Sequence, residues 1–93
     1  MKKNYNYAFV FYDISEKRVQ KVFKICKKYL IHYQYSVFRG EITPSNIIKM
    51  QNEFKKVINP KNDFISIILM QGDYVFEEKI IGTSKKDTED IFL

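Results

Sequence analysis

Two segments of this 93-residue chain carry apolar side chains on both faces of a β-strand, and no other feature constrains the fold as strongly. Residues Tyr5 to Tyr12 (YNYAFVFY) place four aromatic rings on one face and Ala8, Val10 and Tyr12 on the other. Residues Phe64 to Met70 (FISIILM) are also apolar on both sides. Because residues i and i+2 of a strand share a face, both segments are predicted to be central strands covered on both sides.

Two amphipathic helices are predicted beside these strands. The first spans residues 16–31, with Ser15 as its N-cap and apolar side chains that recur at helical spacing. The second begins at Thr43 and Pro44, because Thr is a favourable N-cap and Pro suits the first helical position. It is predicted to end before Pro60, which cannot continue a helix.

Three further segments complete the predicted order, which is βαβαββ. Residues 33–42 read as a strand that is kinked, or split in two, near Ser36 or Gly40. Residues 74–81 form another strand, and residues 91–93 form a short terminal strand.

Two helices on one face of a mostly antiparallel sheet define the predicted fold class, a single α+β, ferredoxin-like domain over residues 1–93. Two helices can cover only one face of such a sheet, so the aromatic face of the first strand would form an unusually large exposed patch. A second copy of the chain, packed sheet against sheet with twofold symmetry, removes that patch. We therefore predict a homodimer through the face that the helices leave uncovered.

The charge is distributed unevenly along the chain. Residues 1–61 hold 13 Lys and Arg against 4 Asp and Glu, whereas residues 62–93 hold 3 against 7. The basic charge is concentrated on the first helix and the strand that follows it, at Lys17, Arg18, Lys21, Lys24, Lys28 and Arg39. This pattern suits phosphate contacts to DNA or RNA without recognition of bases.

The chain shows no sequence signal for secretion or membrane insertion. No segment approaches the ~20 apolar residues that a membrane span needs, and the N-terminus has no small-residue cleavage site. Cys26 is the single cysteine, so no intramolecular disulfide can form. A cytoplasmic protein is expected.

Asp13 is the sharpest candidate for chemistry, because it follows the first strand in phase with the aromatic face. One interpretation is structural, since an Asp just before a helix often caps it. The other is functional. Mg²⁺ takes one or two carboxylates and keeps several waters, so two copies of Asp13 near a twofold axis could hold one ion.

No conventional general base or nucleophile stands out in the sequence. His32 lies between a helix and a strand, where a packing role is more common than catalysis. Cys26 lies on the apolar face of the first helix, where core packing is expected. Any hydrolysis would therefore depend on metal-activated water rather than on a covalent nucleophile.

Two motifs resemble those of a known family. The strand ending in YDIS at residues 12–15, the basic helix after it, and the segment QYSVFRGE at residues 34–41 resemble the CRISPR-associated Cas-two (Cas2) family. The resemblance extends over nearly the whole chain. It implies a ferredoxin-like homodimer in which Asp13 approaches its symmetry mate and binds a divalent metal, Mg²⁺ or Mn²⁺, shared between the protomers.

The same resemblance implies an activity and partners. Members of this family are metal-dependent endonucleases acting on RNA or DNA, and they bridge two dimers of the Cas-one integrase when foreign DNA is captured as CRISPR spacers. The C-terminal strand at residues 74–81 would pair with the partner protomer, and the tail as far as residue 93 would dock the integrase. The residues that match the family's active region are Tyr12, Asp13, Arg18, Ser36 and Phe38.

Three functions are therefore compared below. The first is a metal-dependent endonuclease, with Arg18 and neighbouring lysines stabilising the charge that develops on the phosphate. The second is a non-catalytic, DNA-binding scaffold within the integrase complex. The third, which the sequence favours least, is a ribonuclease toxin on a similar fold.

Overall fold

The described part of the computed structural model, residues 5–71 and 75–83, contains five strands and two helices. The strands are β1 (Tyr7–Asp13), β2 (Ile31–Gln34), β3 (Val37–Glu41), β4 (Phe64–Gln71) and β5 (Val75–Gly82), and the helices are α1 (Val19–Tyr29) and α2 (Pro44–Val57). Neighbouring strands pair antiparallel in the order β2-β3-β1-β4-β5. The predicted α+β, ferredoxin-like fold is confirmed.

The hydrophobic core lies between the two helices and one face of the sheet. β1 contributes Ala8 and Val10, and β4 contributes Ile65, Ile67 and Leu69, all of them buried. The helices oppose these strands with buried side chains at helical spacing, which are Val22, Ile25 and Cys26 in α1 and Ile47, Met50 and Phe54 in α2. The central positions of β1 and β4, expected from their apolar pattern, are confirmed.

The opposite face of the sheet carries apolar side chains that no described helix covers. The rings of Tyr7, Phe9 and Phe11 follow one another along β1, with centroids 5.5 and 6.4 Å apart. Phe11 is 37% exposed and Ile31 is 72% exposed. We call this surface the open face and define it by Tyr7, Phe9, Phe11, Ile31, Ile68 and Ile80.

α1 begins three residues later than predicted, and Ser15 is not its N-cap. Residues 16–18 form a turn in which the Ser15 carbonyl accepts hydrogen bonds from the amides of Arg18 (2.9 Å) and Val19 (3.0 Å). Arg18 occupies the N-cap position and makes no side-chain capping hydrogen bond. The Ser15 amide donates a hydrogen bond to the Asp63 carboxylate at 3.0 Å, a contact between residues 48 positions apart.

The segment predicted as one strand over residues 33–42 is a hairpin made of β2 and β3. The chain reverses at Tyr35, whose φ of 45° lies in the left-handed region. His32 supports the turn, because its Nε2 lies 2.8 Å from the Tyr35 carbonyl oxygen. The split therefore occurs beside Ser36, whereas Gly40 lies within β3.

α2 begins where the sequence predicts. The Thr43 hydroxyl accepts a hydrogen bond from the Asn46 amide at 3.2 Å, and Pro44 is the first helical residue. None of the helices described is long and apolar enough to cross a membrane.

β5 pairs with β4 of its own chain along its length. The register runs from Val75 opposite Gln71 to Gly82 opposite Phe64. Pairing of the C-terminal strand with a partner protomer stays a prediction. The terminal strand predicted at residues 91–93, and the tail that contains it, lie outside the described residues.

Candidate functional site

Asp13 is the last residue of β1 and is exposed to solvent. Strand alternation places it on the open face, in phase with Phe9 and Phe11. Its paired residue on the neighbouring strand β4 is Phe64. Because α1 begins six residues further on, at Val19, Asp13 is not the N-cap of that helix and the capping interpretation is wrong.

The fold brings the two sequence motifs together at one end of the sheet. The Tyr12 amide donates a hydrogen bond to the Ser36 carbonyl at 3.2 Å, and Phe11 lies opposite Val37 in the register of β1 and β3. The β2–β3 turn therefore lies beside the strand end that carries Asp13. Of the motif residues, Ser36 contributes a backbone contact to this end of the sheet.

Tyr12 and Phe38 point away from the open face and into the core. Phe38 is fully buried and Tyr12 is 8% exposed, with their rings stacked at a centroid distance of 6.2 Å. Burial raises the pKa of the Tyr12 hydroxyl. In this arrangement both side chains support the strand ends from below and neither reaches the surface that carries Asp13.

Arg18 is held by a residue that sequence reasoning did not single out, Asp63. The Arg18 guanidinium donates to both carboxylate oxygens, with Nε 2.6 Å from Oδ2 and Nη2 3.1 Å from Oδ1. The Asp63 side chain is fully buried, and it also accepts hydrogen bonds from the backbone amides of Ser15 (3.0 Å) and Asn59 (2.8 Å). These donors, chiefly Arg18, hold the pKa of Asp63 at about 2.

The Arg18–Asp63 pair predicts a loss of stability in acid. The Asp63 pKa is about 2 in the folded chain against a usual 3.8, so the folded state binds fewer protons than the unfolded state in this window. The stabilisation is present above about pH 4 and is lost as the pH falls towards 2. In urea denaturation, the free energy of unfolding of the wild type should exceed that of Asp63→Asn most at neutral pH. This difference in free energy should narrow below about pH 4. A difference that stays constant down to pH 2 would contradict this assignment.

The predicted nucleic-acid-binding residues do not form one surface. Lys17, Lys21 and Lys24 are exposed on the helical side of the molecule. Lys28 forms an ion pair with Glu53 of α2, which also accepts a hydrogen bond from the Tyr29 hydroxyl. Side chains of Lys21, Lys24, Glu53 and Lys56, with Ile25 and Val57, line a groove between α1 and α2.

Arg39 lies on the other side of the sheet from these lysines. Its guanidinium packs over the Tyr33 ring, with Cζ 4.2 Å from the ring centroid. In the register of β1 and β3 it is directly opposite Phe9. Arg39 therefore belongs to the open face, and it is separated from the lysines of α1 by the thickness of the sheet.

The packing roles expected for His32 and Cys26 agree with their surroundings. The His32 ring lies against Phe38, with centroids 4.8 Å apart, and against the edge of Phe23 at 5.2 Å. Cys26 is fully buried, and burial raises the pKa of its thiol to about 12. A thiol with this pKa is not a nucleophile near neutral pH.

Asp13 is the single acidic residue of β1, which limits the cation that this strand end can hold. Within residues 5–71 and 75–83, no group of three His, Cys, Asp or Glu side chains could hold a metal ion. Mg²⁺ binds proteins through one or two carboxylates and retains several waters. Asp13 alone therefore supplies at most one of the carboxylates that such a cation takes.

The chain is similar in sequence to proteins of one family. Residues 6–78 match the family described as CRISPR associated protein Cas2. The CRISPR-associated endoribonuclease Cas2 of Thermotoga maritima is 36% identical over 86 residues, which cover 92% of this chain and 99% of that protein. The CRISPR-associated endoribonuclease Cas2 3 of Thermodesulfovibrio yellowstonii is 39% identical over 85 residues, which cover 91% and 97%.

A solved structure has the same fold. It is described as the crystal structure of cas2, and it superposes with a TM-score of 0.70 at 28% sequence identity. The match covers 87% of this chain and 91% of that one. The likeness thus extends over most of both chains.

Proposed function

This chain belongs to the CRISPR-associated protein Cas2 family, and on that premise we propose that it is a homodimeric, metal-dependent endonuclease of RNA or DNA. The observation that carries the proposal is the exposed carboxylate of Asp13 at the edge of the open face. The relatives named endoribonuclease support phosphodiester hydrolysis, with RNA as the first substrate to test.

The open face supports the homodimer. Ile31 is 72% exposed, Ile80 is 49% exposed and Phe11 is 37% exposed, and all lie on the face opposite the helices. Apolar patches of this kind on a soluble protein mark an interaction surface. A second copy packed face to face covers them and, by symmetry, brings a second Asp13 to the same interface.

The proposed site would take Mg²⁺ or Mn²⁺, with the Asp13 carboxylates of the two protomers as its protein ligands. The chemistry that such a cation supplies is activation of water and neutralisation of phosphate charge. Asp13 would bind and orient the cation, while exposed lysines in α1 and the turn before it, Lys17, Lys21 and Lys24, attract the nucleic-acid backbone. The stacked, buried rings of Tyr12 and Phe38 pack beneath the strand end that carries Asp13.

The biological setting that we propose is CRISPR adaptation, an antiviral defence, in the cytoplasm. There the dimer would bind foreign DNA together with the Cas-one integrase. The basic residues of α1 would contact DNA phosphates, and the C-terminal tail would dock the integrase. Family membership supports this setting, and the charge of the first 61 residues suits a polyanionic partner.

Removal of divalent metal tests the enzymatic part of the proposal. The purified chain should cleave single-stranded RNA in Mg²⁺, stop when EDTA is added, and recover when Mg²⁺ is supplied in excess. Single- and double-stranded DNA serve as parallel substrates. Cleavage that continues at the same rate in EDTA would contradict metal-dependent hydrolysis.

The second candidate function is a DNA-binding scaffold without catalysis. It is favoured by the exposed lysines on α1 and by the groove between the helices, which lie away from Asp13. In that case DNA binding depends steeply on salt and on Lys21 and Lys24, and no metal-dependent cleavage accompanies it.

A further inference from the structure

Asp63 joins the segments that converge beside the end of β1. Each of its carboxylate oxygens accepts two hydrogen bonds, from the Ser15 amide and Arg18 Nη2 at Oδ1, and from Arg18 Nε and the Asn59 amide at Oδ2. The side chain is fully buried. Four donors satisfy a carboxylate completely, so this group is a fixed structural centre.

The backbone of Asp63 holds a further segment. Its carbonyl accepts a hydrogen bond from the Thr83 amide at 2.9 Å. Gly82 has a φ of 98°, and a Cβ at that position would lie 1.9 Å from the same carbonyl oxygen, so only glycine allows this approach. The loop after β1, the loop before β4 and the end of β5 therefore meet at one residue.

This arrangement fixes Asp13 from two sides. Asp13 lies two residues before Ser15, whose amide is bound to Asp63, and it pairs in the sheet with Phe64, which follows Asp63 directly. Building on the function proposed above, we propose that Asp63 and Arg18 form a clamp that positions Asp13, and that Arg18 acts through Asp63 rather than on nucleic-acid phosphate.

The geometry of Arg18 supports the second half of this inference. Two nitrogens on one edge of its guanidinium are engaged by Asp63, and the side chain is 21% exposed. The charges of the pair cancel, so it adds little attraction for a polyanion. Lys17 and Lys21, one residue before and three residues after Arg18, are exposed and remain for phosphate contacts. Arg18 is then a positioning residue, in contrast to the role that the family resemblance implies for it.

Nucleic-acid binding at several salt concentrations separates a positioning role from a phosphate contact. Arg18→Gln and the matched variant Lys21→Gln each remove one positive charge from neighbouring turns of the same segment. Removing a cation that touches a phosphate should reduce the slope of log K against log salt by about one. We expect that reduction for Lys21→Gln and an unchanged slope for Arg18→Gln. An equal reduction in both variants would overturn the assignment of Arg18.

The Mg²⁺ dependence of cleavage tests the clamp itself. Asp63→Asn and Arg18→Gln should each raise the Mg²⁺ concentration for half-maximal cleavage by about 10-fold or more, because residues that orient a ligand typically change metal affinity by 10–100-fold. The variant that carries both substitutions should need no more Mg²⁺ than either single variant, since each substitution alone already breaks the same clamp. Arg18→Lys keeps a single hydrogen bond to Asp63 and should fall between wild type and Arg18→Gln.

All variants are assayed well below their melting temperatures, so that loss of fold does not imitate loss of positioning. Variants that melt earlier but need the same Mg²⁺ concentration would overturn the clamp. A wild-type chain that does not cleave would instead contradict the proposed function. The salt-slope comparison still decides the role of Arg18 in that case, because it requires binding alone.

Discussion

Asp13→Asn should cleave RNA at least about 100-fold more slowly than wild type in saturating Mg²⁺. Asparagine keeps the shape and one oxygen of the side chain but loses the charge that would hold the proposed cation. A bound metal supplies several kcal/mol to hydrolysis, and about 2.7 kcal/mol corresponds to 100-fold in rate. The measurement is a single-turnover cleavage rate on the same RNA, with the two proteins purified side by side.

Glu16→Gln is the matched control for this experiment. Glu16 is an exposed carboxylate in the turn that follows β1, three residues beyond Asp13. The Glu16→Gln variant should cleave at the wild-type rate, because Glu16 lies outside β1 and the open face. If Asp13→Asn also cleaves at the wild-type rate, the activity lies elsewhere in the chain or belongs to a contaminant.

Asp13→Asn also separates the two candidate functions inside a cell. If catalysis at Asp13 is used in spacer acquisition, Asp13→Asn blocks acquisition although DNA binding is preserved. If the chain is a scaffold, acquisition continues in Asp13→Asn and stops when Lys21 and Lys24 are both replaced by Glu. These lysines are exposed on α1, away from the open face.

The second large effect is expected from Phe9→Glu, which should convert the proposed dimer to a monomer. Phe9 lies in the middle of the open face, between the rings of Tyr7 and Phe11. Losing a phenyl ring that is buried in the interface weakens dimerisation by about 1.5–3 kcal/mol. Each protomer loses one such ring, so this loss counts twice. Desolvating the charges adds a penalty of several kcal/mol. The dissociation constant should therefore rise by about 100-fold or more.

The protomer itself should tolerate this change. The register places Arg39 directly opposite Phe9, so a glutamate there gains an opposite charge within the same chain. Ile48→Glu is the matched control, since Ile48 is 60% exposed on α2, outside the sheet. Light scattering at micromolar concentration should give a dimer mass for wild type and Ile48→Glu and a monomer mass for Phe9→Glu. A monomer mass for wild type would contradict the dimer outright.

The elements that the sequence predicted well are those that depend on local pattern. The apolar faces of β1 and β4 could be read from strand alternation, and both strands are central in the sheet. The start of α2 follows from Thr43 and Pro44 alone, because the capping hydrogen bond is made three residues away. In each case the determining contacts lie within one element or between neighbours in the chain.

The elements that differ from prediction depend on contacts between distant residues. The segment before α1 is a turn whose Ser15 amide donates to Asp63, 48 residues away, a contact that no local pattern indicates. The β2–β3 turn needs a left-handed residue, and Tyr35 adopts that conformation although tyrosine gives no turn signal. The bond from His32 to the Tyr35 carbonyl appears only in the folded hairpin.

The sequence predicts only part of the candidate site, because some of its contacts join residues that are distant in the chain. Strand alternation places Asp13 on the open face, and the sequence could indicate this. The sequence could not indicate that Arg18 is engaged by Asp63, because an Asp before an apolar strand carries no mark of a partner 45 residues earlier. Nor could it show that Arg39 faces away from the lysines, since the hairpin decides which side of the sheet carries it.

A titration of the purified chain with Mn²⁺ tests the central claim, that two Asp13 carboxylates share one cation. Calorimetry or electron paramagnetic resonance should find one ion bound for every two chains in wild type and no binding in Asp13→Asn at the same concentrations. One ion per chain, or equal binding by wild type and Asp13→Asn, would contradict the shared site.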